Sequence, residues 1–144
     1  MVRNRRRSEP LVGMPSSARE AERSSPTWFW WSSESGGRSR AEEEMLALAR
    51  DEQAQLAAVI TRIIGGETRG GDVKPLVGDV LEARARLNGV FLRAAFARWG
   101  GHFVGLTVFK KKKNQTEPQD VRRASDRLKQ WRDTHEAPPR SPST

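Results

Sequence analysis

The sequence predicts an all-α protein. An antiparallel helical hairpin and a short basic helix stand between a disordered N-terminal arm and a disordered C-terminal tail. Three observations predict it. Residues 39–101 carry two long apolar patterns at helical spacing, each closed by a glycine pair. Proline, serine and arginine dominate the residues before them. Charge is unevenly spread: residues 1–40 hold eight Arg/Lys against four acids, 41–101 eight against nine, and 102–144 ten against five. A near-neutral centre between two cationic ends suits a partner such as a phosphate polyanion or an anionic membrane surface. The implied divisions are 1–38 (basic arm), 39–101 (hairpin core), 102–136 (apolar segment, lysine run and basic helix) and 137–144 (tail).

The chain has 144 residues, enough for one modest domain, but only 35% of them are apolar. Without cysteine there is no disulfide, thiol chemistry or cysteine zinc site. No apolar run approaches the roughly 20 residues of a membrane helix. The N-terminal arginines lack the apolar stretch of a secretory signal, and Glu9, Glu20 and Glu22 argue against a transit peptide.

In the arm, Arg3, Arg5, Arg6 and Arg7 offer guanidinium forks to phosphate, as a nucleic-acid contact or a nuclear-import signal. A solvated tail is the plain alternative. Pro10, Pro15 and Pro26 make a packed element unlikely there. Trp28-Phe29-Trp30-Trp31 leaves three readings open: docking on the core, stacking on bases, or contact with a membrane interface.

The first helix is expected over about 40–64. Ser39 and Glu42 have capping-box spacing, and Glu42, Glu43 and Glu44 suit the positive end of the helix dipole. Met45, Ala49, Leu56, Val59 and Ile63 follow on one face, interrupted by Glu52, and Gly65-Gly66 supplies a left-handed stop. The connector Gly65–Gly71 lacks the Lys-Ser/Thr of a phosphate-binding loop and follows a helix, so a mononucleotide site is improbable.

Pro75 suits the first turn of a second helix, which Gly100-Gly101 ends. Leu76, Val80, Ala83, Leu87, Val90, Ala94 and Ala97 form a stripe with heptad spacing, and Leu81, Ala85, Leu92, Ala95 and Trp99 run beside it. Asp79, Glu82, Arg86 and Arg93 make a narrow polar face. A helix apolar on two sides needs two covers, and a lone hairpin is marginal. A homodimer forming a four-helix bundle is therefore expected, with Leu76, Val80, Leu87, Val90 and Leu92 at the interface.

Residues 102–109 are apolar and β-branched, and are read as a strand or an extended plug on the helical pair. Lys110, Lys111, Lys112 and Lys113 follow, as an import signal, a phosphate contact or a solvated run. Thr116 and Gln119 have capping-box spacing for a basic amphipathic helix over roughly 118–134. Its stripe is Val121, Ala124, Leu128, Trp131 and His135, and Arg122, Arg123 and Arg127 occupy other faces. His102 and His135 are far apart in sequence, so no metal or cofactor site is expected.

No catalytic constellation is visible: two separated histidines, no cysteine, no tyrosine, and carboxylates that helix capping explains. The expectation is a non-enzymatic protein. It binds nucleic acid, taken as double-stranded, mainly at phosphates and in a salt-dependent way. The expected contacts are Arg3, Arg5, Arg6, Arg7, Lys110, Lys111, Lys112, Lys113, Arg122, Arg123 and Arg127. A membrane surface ranks below nucleic acid. The alternative is a dimeric helical adaptor whose basic runs serve nuclear import or membrane attachment.

Met1-Val2-Arg3-Asn4-Arg5-Arg6-Arg7, the helical middle and the basic C-terminal runs together resemble the fourth nonstructural protein of orbiviruses, of the African horse sickness virus type. Those proteins are read from a frame overlapping the viral helicase gene. The resemblance implies a small accessory factor of the host nucleus, nucleolus and cytoplasm, which binds nucleic acid and antagonises the interferon response, with host proteins as possible partners.

Overall fold

Asn88-Gly89 lies in the middle of the expected second helix, and both residues take positive φ, 50° and 78°. Such a pair closes a two-residue β-hairpin, because its backbone twist matches that of the flanking strands. The computed structural model describes residues 25–33 and 37–138. There the segment from Val73 to Trp99 is three strands, so the protein is α/β and the all-α expectation is overturned.

The strands are β1 (Trp28–Trp30), β2 (Val73–Val77), β3 (Val80–Leu87), β4 (Val90–Trp99) and β5 (His102–Lys111). They form one sheet in the order β1-β5-β4-β3-β2. Neighbours β2 to β5 are antiparallel, and β1 joins β5 in parallel. Tight turns make the meander: Gly78, Gly89, Gly100 and Gly101 all take positive φ, a conformation that side chains with a Cβ resist. Gly100-Gly101, read as a helix stop, is the β4–β5 hairpin turn.

The first expected helix has the right ends and a broken middle. Helix α1 spans Arg40–Leu46 and α2 spans Arg50–Gly65. The Ser39 side chain accepts the Glu42 N–H at 3.0 Å, and Gly66 closes α2 in the left-handed region with φ 71°. Between them, the Glu52 carboxylate accepts the Ala49 N–H at 2.9 Å. The Gln53 amide donates to the carbonyls of Leu46 and Leu48. These side chains cap both cut ends, so the break leaves few backbone groups unsatisfied. Glu52, the interruption in the stripe, is part of the break.

Helix α3 covers Pro118–Thr134, where a basic helix is expected. Its N-cap is Glu117 without a side-chain cap, so the Thr116–Gln119 capping box does not form.

Each face of the sheet has its own core. On one, Leu56, Val59, Ile60 and Ile63 of α2 pack on Ala83, Leu92, Ala94 and Phe96. On the other, Ala124, Leu128 and Trp131 of α3 pack on Val80, Ala95, Ala97, Val104 and Leu106. The segment expected as a strand or plug is β5, next to the centre of the sheet. The Trp run docks: Trp28 packs on the α2-side core, Trp30 touches both cores, and Trp31 is buried on the α3 side. Beyond β1, Glu44 covers the β5 edge by accepting from the Val108 N–H (3.0 Å) and the Thr107 hydroxyl (2.8 Å). No helix among the described residues is long and apolar enough to cross a membrane.

Candidate functional site

On β3, Leu81, Ala83, Ala85 and Leu87 pack toward α2, so Glu82, Arg84 and Arg86 project from the opposite face. On β4 the same alternation turns Leu92 and Ala94 toward α2 and puts Phe91 and Arg93 beside the β3 arginines. In register, Arg84 stands opposite Arg93, and Arg86 opposite Phe91. Helix α3 packs over the part of this face lined by Val80, Ala95, Ala97 and Val104. The cationic rows lie beyond its start, beside the loop that connects β5 to α3.

Like charges opposite one another on neighbouring strands repel. Glu82 offsets part of this, with its Oε1 3.5 Å from Arg84 Nε and 3.4 Å from Arg93 Nε. Neither approach has hydrogen-bond geometry, and both Nε atoms are buried without an acceptor. The second Glu82 oxygen accepts the Thr116 hydroxyl. Arg93 is only 2% exposed; burial, and then the charge of Arg84, push its guanidinium below the ordinary arginine value. It donates to the Leu92 carbonyl at 3.0 Å. Arg86 and Arg93 both lie against the Phe91 ring, at 5.0 and 5.3 Å from its centre. The Asn114 side-chain oxygen accepts from Arg84 Nη2 at 2.8 Å and also from Arg93 Nη2.

These groups border a cavity of about 380 Å³ whose far wall is α2 and the loop before β2, including Arg62, Gly70, Gly71 and Asp72. Asp72 does not neutralise the groove arginines. Arg62 holds it with two hydrogen bonds of 2.8 and 2.9 Å, and the Arg69 N–H adds a third of 2.8 Å. The Arg62 hydrogen bonds dominate, against burial, in lowering the Asp72 carboxyl from 3.8 to about 2.

Of the residues expected to bind nucleic acid, Arg3, Arg5, Arg6 and Arg7 lie outside the described residues. Lys112 and Lys113 are exposed and line a separate depression with Phe109, Glu117, Gln119 and Asp120. Lys111 lies over Phe109 and 4.0 Å from Asp120, and Lys110 turns to the other face to meet Glu52 at 3.2 Å. Arg122 is exposed, and Arg123 pairs with Asp120 at 2.9 Å. Arg127 is a structural tie: it pairs with Glu44 at 3.0 Å, donates to the Leu106 carbonyl at 2.9 Å and lies over Trp31. Leu76, Val80, Leu87, Val90 and Leu92 do not share a face. Leu76 and Val80 join the α3-side core, while Leu87, Val90 and Leu92 join the α2-side core. The helical stripe that motivated a homodimer is thus absent. Among the described residues no group of three or more His, Cys, Asp or Glu is placed to hold a metal ion.

Arg84, Arg86, Arg93 and Asn114 were missed as one site. Glu82, Arg86 and Arg93 read as a helix's polar face, and nothing in the local pattern singles out Asn114. The signal was the strict alternation Leu81-Glu82-Ala83-Arg84-Ala85-Arg86-Leu87.

The family described as "Phage derived protein Gp49-like" matches residues 43–129, which hold the whole of this site and more than half of the chain. The chain belongs to the Gp49-like family. Two proteins named "Probable endoribonuclease HigB1", from Mycobacterium tuberculosis strains CDC 1551 / Oshkosh and ATCC 25618 / H37Rv, are each 33% identical over 106 residues. That alignment covers 74% of this chain and 85% of each relative. Membership of the Gp49-like family overturns the orbivirus resemblance, whose motif, residues 1–7, lies outside the matched region. With it go the interferon-antagonist reading, the helical-adaptor alternative and the placement in a host nucleus, nucleolus and cytoplasm. Kinship with a protein named as an endoribonuclease also overturns the expectation of no enzymatic activity. A nucleic-acid partner is compatible with Gp49-like kinship.

Proposed function

We infer that this protein is a bacterial endoribonuclease of the toxin–antitoxin type, with a protein antitoxin as its partner and RNA as its substrate. The observation that carries the reading is the paired row Arg84–Arg93, held at the mouth of a groove by one buried carboxylate. Kinship with the mycobacterial proteins supports RNA over other polyanions.

The chemistry follows from what the groove supplies. Guanidinium groups offer forked donors that match phosphate oxygens. In strand cleavage the neighbouring ribose 2′-oxygen attacks phosphorus and gives its proton to solvent water, which in turn protonates the departing 5′-oxygen. The bond from phosphorus to the 5′-oxygen then breaks, leaving a 2′,3′-cyclic phosphate and a protonated 5′-hydroxyl. Negative charge builds on the non-bridging oxygens during attack, and fixed cations in a partly dry site stabilise it. Arg84 and Arg93 take that role. Arg86 and Phe91 grip the adjoining nucleotide by charge and by stacking. Lys112 and Lys113 extend the cationic surface along the strand.

The test is inducible expression in a bacterial host with sequencing of RNA ends. The expected result is accumulation of RNA fragments with 5′-hydroxyl ends, cut by about 10²–10³ in rate by Arg84→Ala. Unchanged RNA on expression of the folded wild-type chain overturns the reading.

A further inference from the structure

Arg84, Arg93 and Glu82 leave a net positive charge in a place where little water enters. Arg93 is 2% exposed, and the Nε atoms of both arginines lack an acceptor. Something must accept the remaining guanidinium hydrogens, since unpaired buried donors are costly. The Asn114 carboxamide oxygen does so, taking one N–H from each arginine. It converges on the two cations from the groove side, the direction from which a phosphate would arrive.

We propose that the Asn114 oxygen occupies the seat of a phosphate oxygen, and that RNA must displace it to be bound for cleavage. The proposal rests on the ribonuclease reading above and adds a built-in competitor to it. An amide oxygen accepts the same hydrogen bonds as a phosphate oxygen but carries no full charge. Both contacts are charge-assisted on the arginine side, but only a phosphodiester adds a full negative charge to this cationic site and can take two parallel N–H bonds from one guanidinium. A phosphodiester therefore outcompetes the amide, while in the empty protein the amide keeps one Nη2 hydrogen of each guanidinium bonded. The exchange costs little elsewhere: Asn114 is exposed, in the loop between β5 and α3, and belongs to neither core. The cavity of about 380 Å³ beside it has room for a phosphate and part of a nucleotide.

The full-length protein is titrated with inorganic phosphate, and separately with a 2′-O-methyl RNA oligonucleotide that cannot be cleaved. Asn114→Ala removes the competitor, and both probes should bind about three- to tenfold tighter. Asn114→Asp puts a carboxylate in the seat, and both should bind at least about tenfold weaker, with recovery as the pH falls and the carboxyl is protonated. Thermal melts of each variant establish that it is folded; should Asn114→Ala unfold, Asn114→Gly takes its place. Weaker or unchanged binding by the alanine or glycine variant overturns the proposal, because Asn114 would then be a ligand of the substrate or a bystander. The two readings fail separately. A wild-type protein that leaves RNA intact, alongside tighter phosphate binding by Asn114→Ala, sinks the ribonuclease and keeps the seat. Cleavage by wild type with no tightening sinks the seat and keeps the ribonuclease.

Discussion

Arg84 and Arg93 stand opposite one another on neighbouring strands, and Glu82 lies within 3.5 Å of one Nε and 3.4 Å of the other. The pair is held together although its charges repel, which makes the end of the sheet a standing demand for an anion. The site depends on this relationship, and so do its clearest tests.

Removing Arg84 should leave the fold standing and damage the chemistry. Arg84 belongs to neither apolar core and faces the like charge of Arg93, so truncation relieves a repulsion without emptying a core. We expect Arg84→Ala to lower the cleavage rate by about 10²–10³, the usual cost of one donor to a developing oxyanion. Arg86→Ala should instead weaken RNA binding and reduce the salt slope by about one, as expected for a single phosphate contact. Single-turnover cleavage and a salt titration separate the two.

Glu82→Gln should be the more damaging change to stability. Both it and Arg93 have side chains only 3% exposed, so the variant buries guanidinium charge without its counter-charge. Breaking a buried pair in this way costs about 3–5 kcal/mol. Added phosphate should raise the Tm of this variant more than that of the wild type, because the ion replaces the lost charge. Calorimetry with and without phosphate checks both parts.

The Arg62–Asp72 clamp ties the end of α2 to the start of β2. The carboxyl is depressed from 3.8 to about 2, so the unfolded chain takes up a proton before the folded one. Its stabilisation is therefore complete above the ordinary carboxylate value and is lost as pH falls toward about 2. Asp72→Asn should lower Tm by about 5–10 °C near neutral pH, and less in strong acid. Melting curves across that window decide it; an equal drop at every pH would show that the charge is irrelevant.

Gly105 of β5 stands opposite Trp30 of the parallel edge strand β1. A Cβ there would come within 2.7 Å of the Trp28 and Trp30 rings, which are too rigid to move aside cheaply. Gly105→Ala should cost about 1–3 kcal/mol, as overpacking does. It should also loosen β1, read as faster hydrogen exchange at Trp31, whose N–H donates to the Gly105 carbonyl at 2.8 Å.

Local chemistry was legible where it acts alone. Ser39, Gly66 and the stripe of α3 work through neighbours three or four residues away, and the structure places them as helix ends and a buried face. The meander is hidden in the sequence because its alanine-rich strands satisfy two periods at once. Val80, Ala83, Leu87, Val90, Ala94 and Ala97 fit a heptad, while Leu81, Ala83, Ala85 and Leu87 fit alternation. Asn88-Gly89 should have decided between them, since this pair is unfavourable inside a helix and ideal in a hairpin. The break at Ala47–Ala49 was hidden for another reason: the Glu52 carboxylate that caps it also pairs with Lys110 on a distant strand.

By itself the sequence determined the cationic surplus, the helix ends at Ser39 and Gly66 and the place of the basic helix, because each is a property of single residues or close neighbours. The tertiary structure alone decided that Arg84, Arg93, Glu82 and Asn114 are one site. Arg84 and Arg93 are nine positions apart, and only the β3–β4 register puts them side by side. Asn114 joins them from beyond β5, thirty positions from Arg84. Hydrogen bonding between strands places such residues together whatever their distance along the chain, and a reading by local period cannot see it.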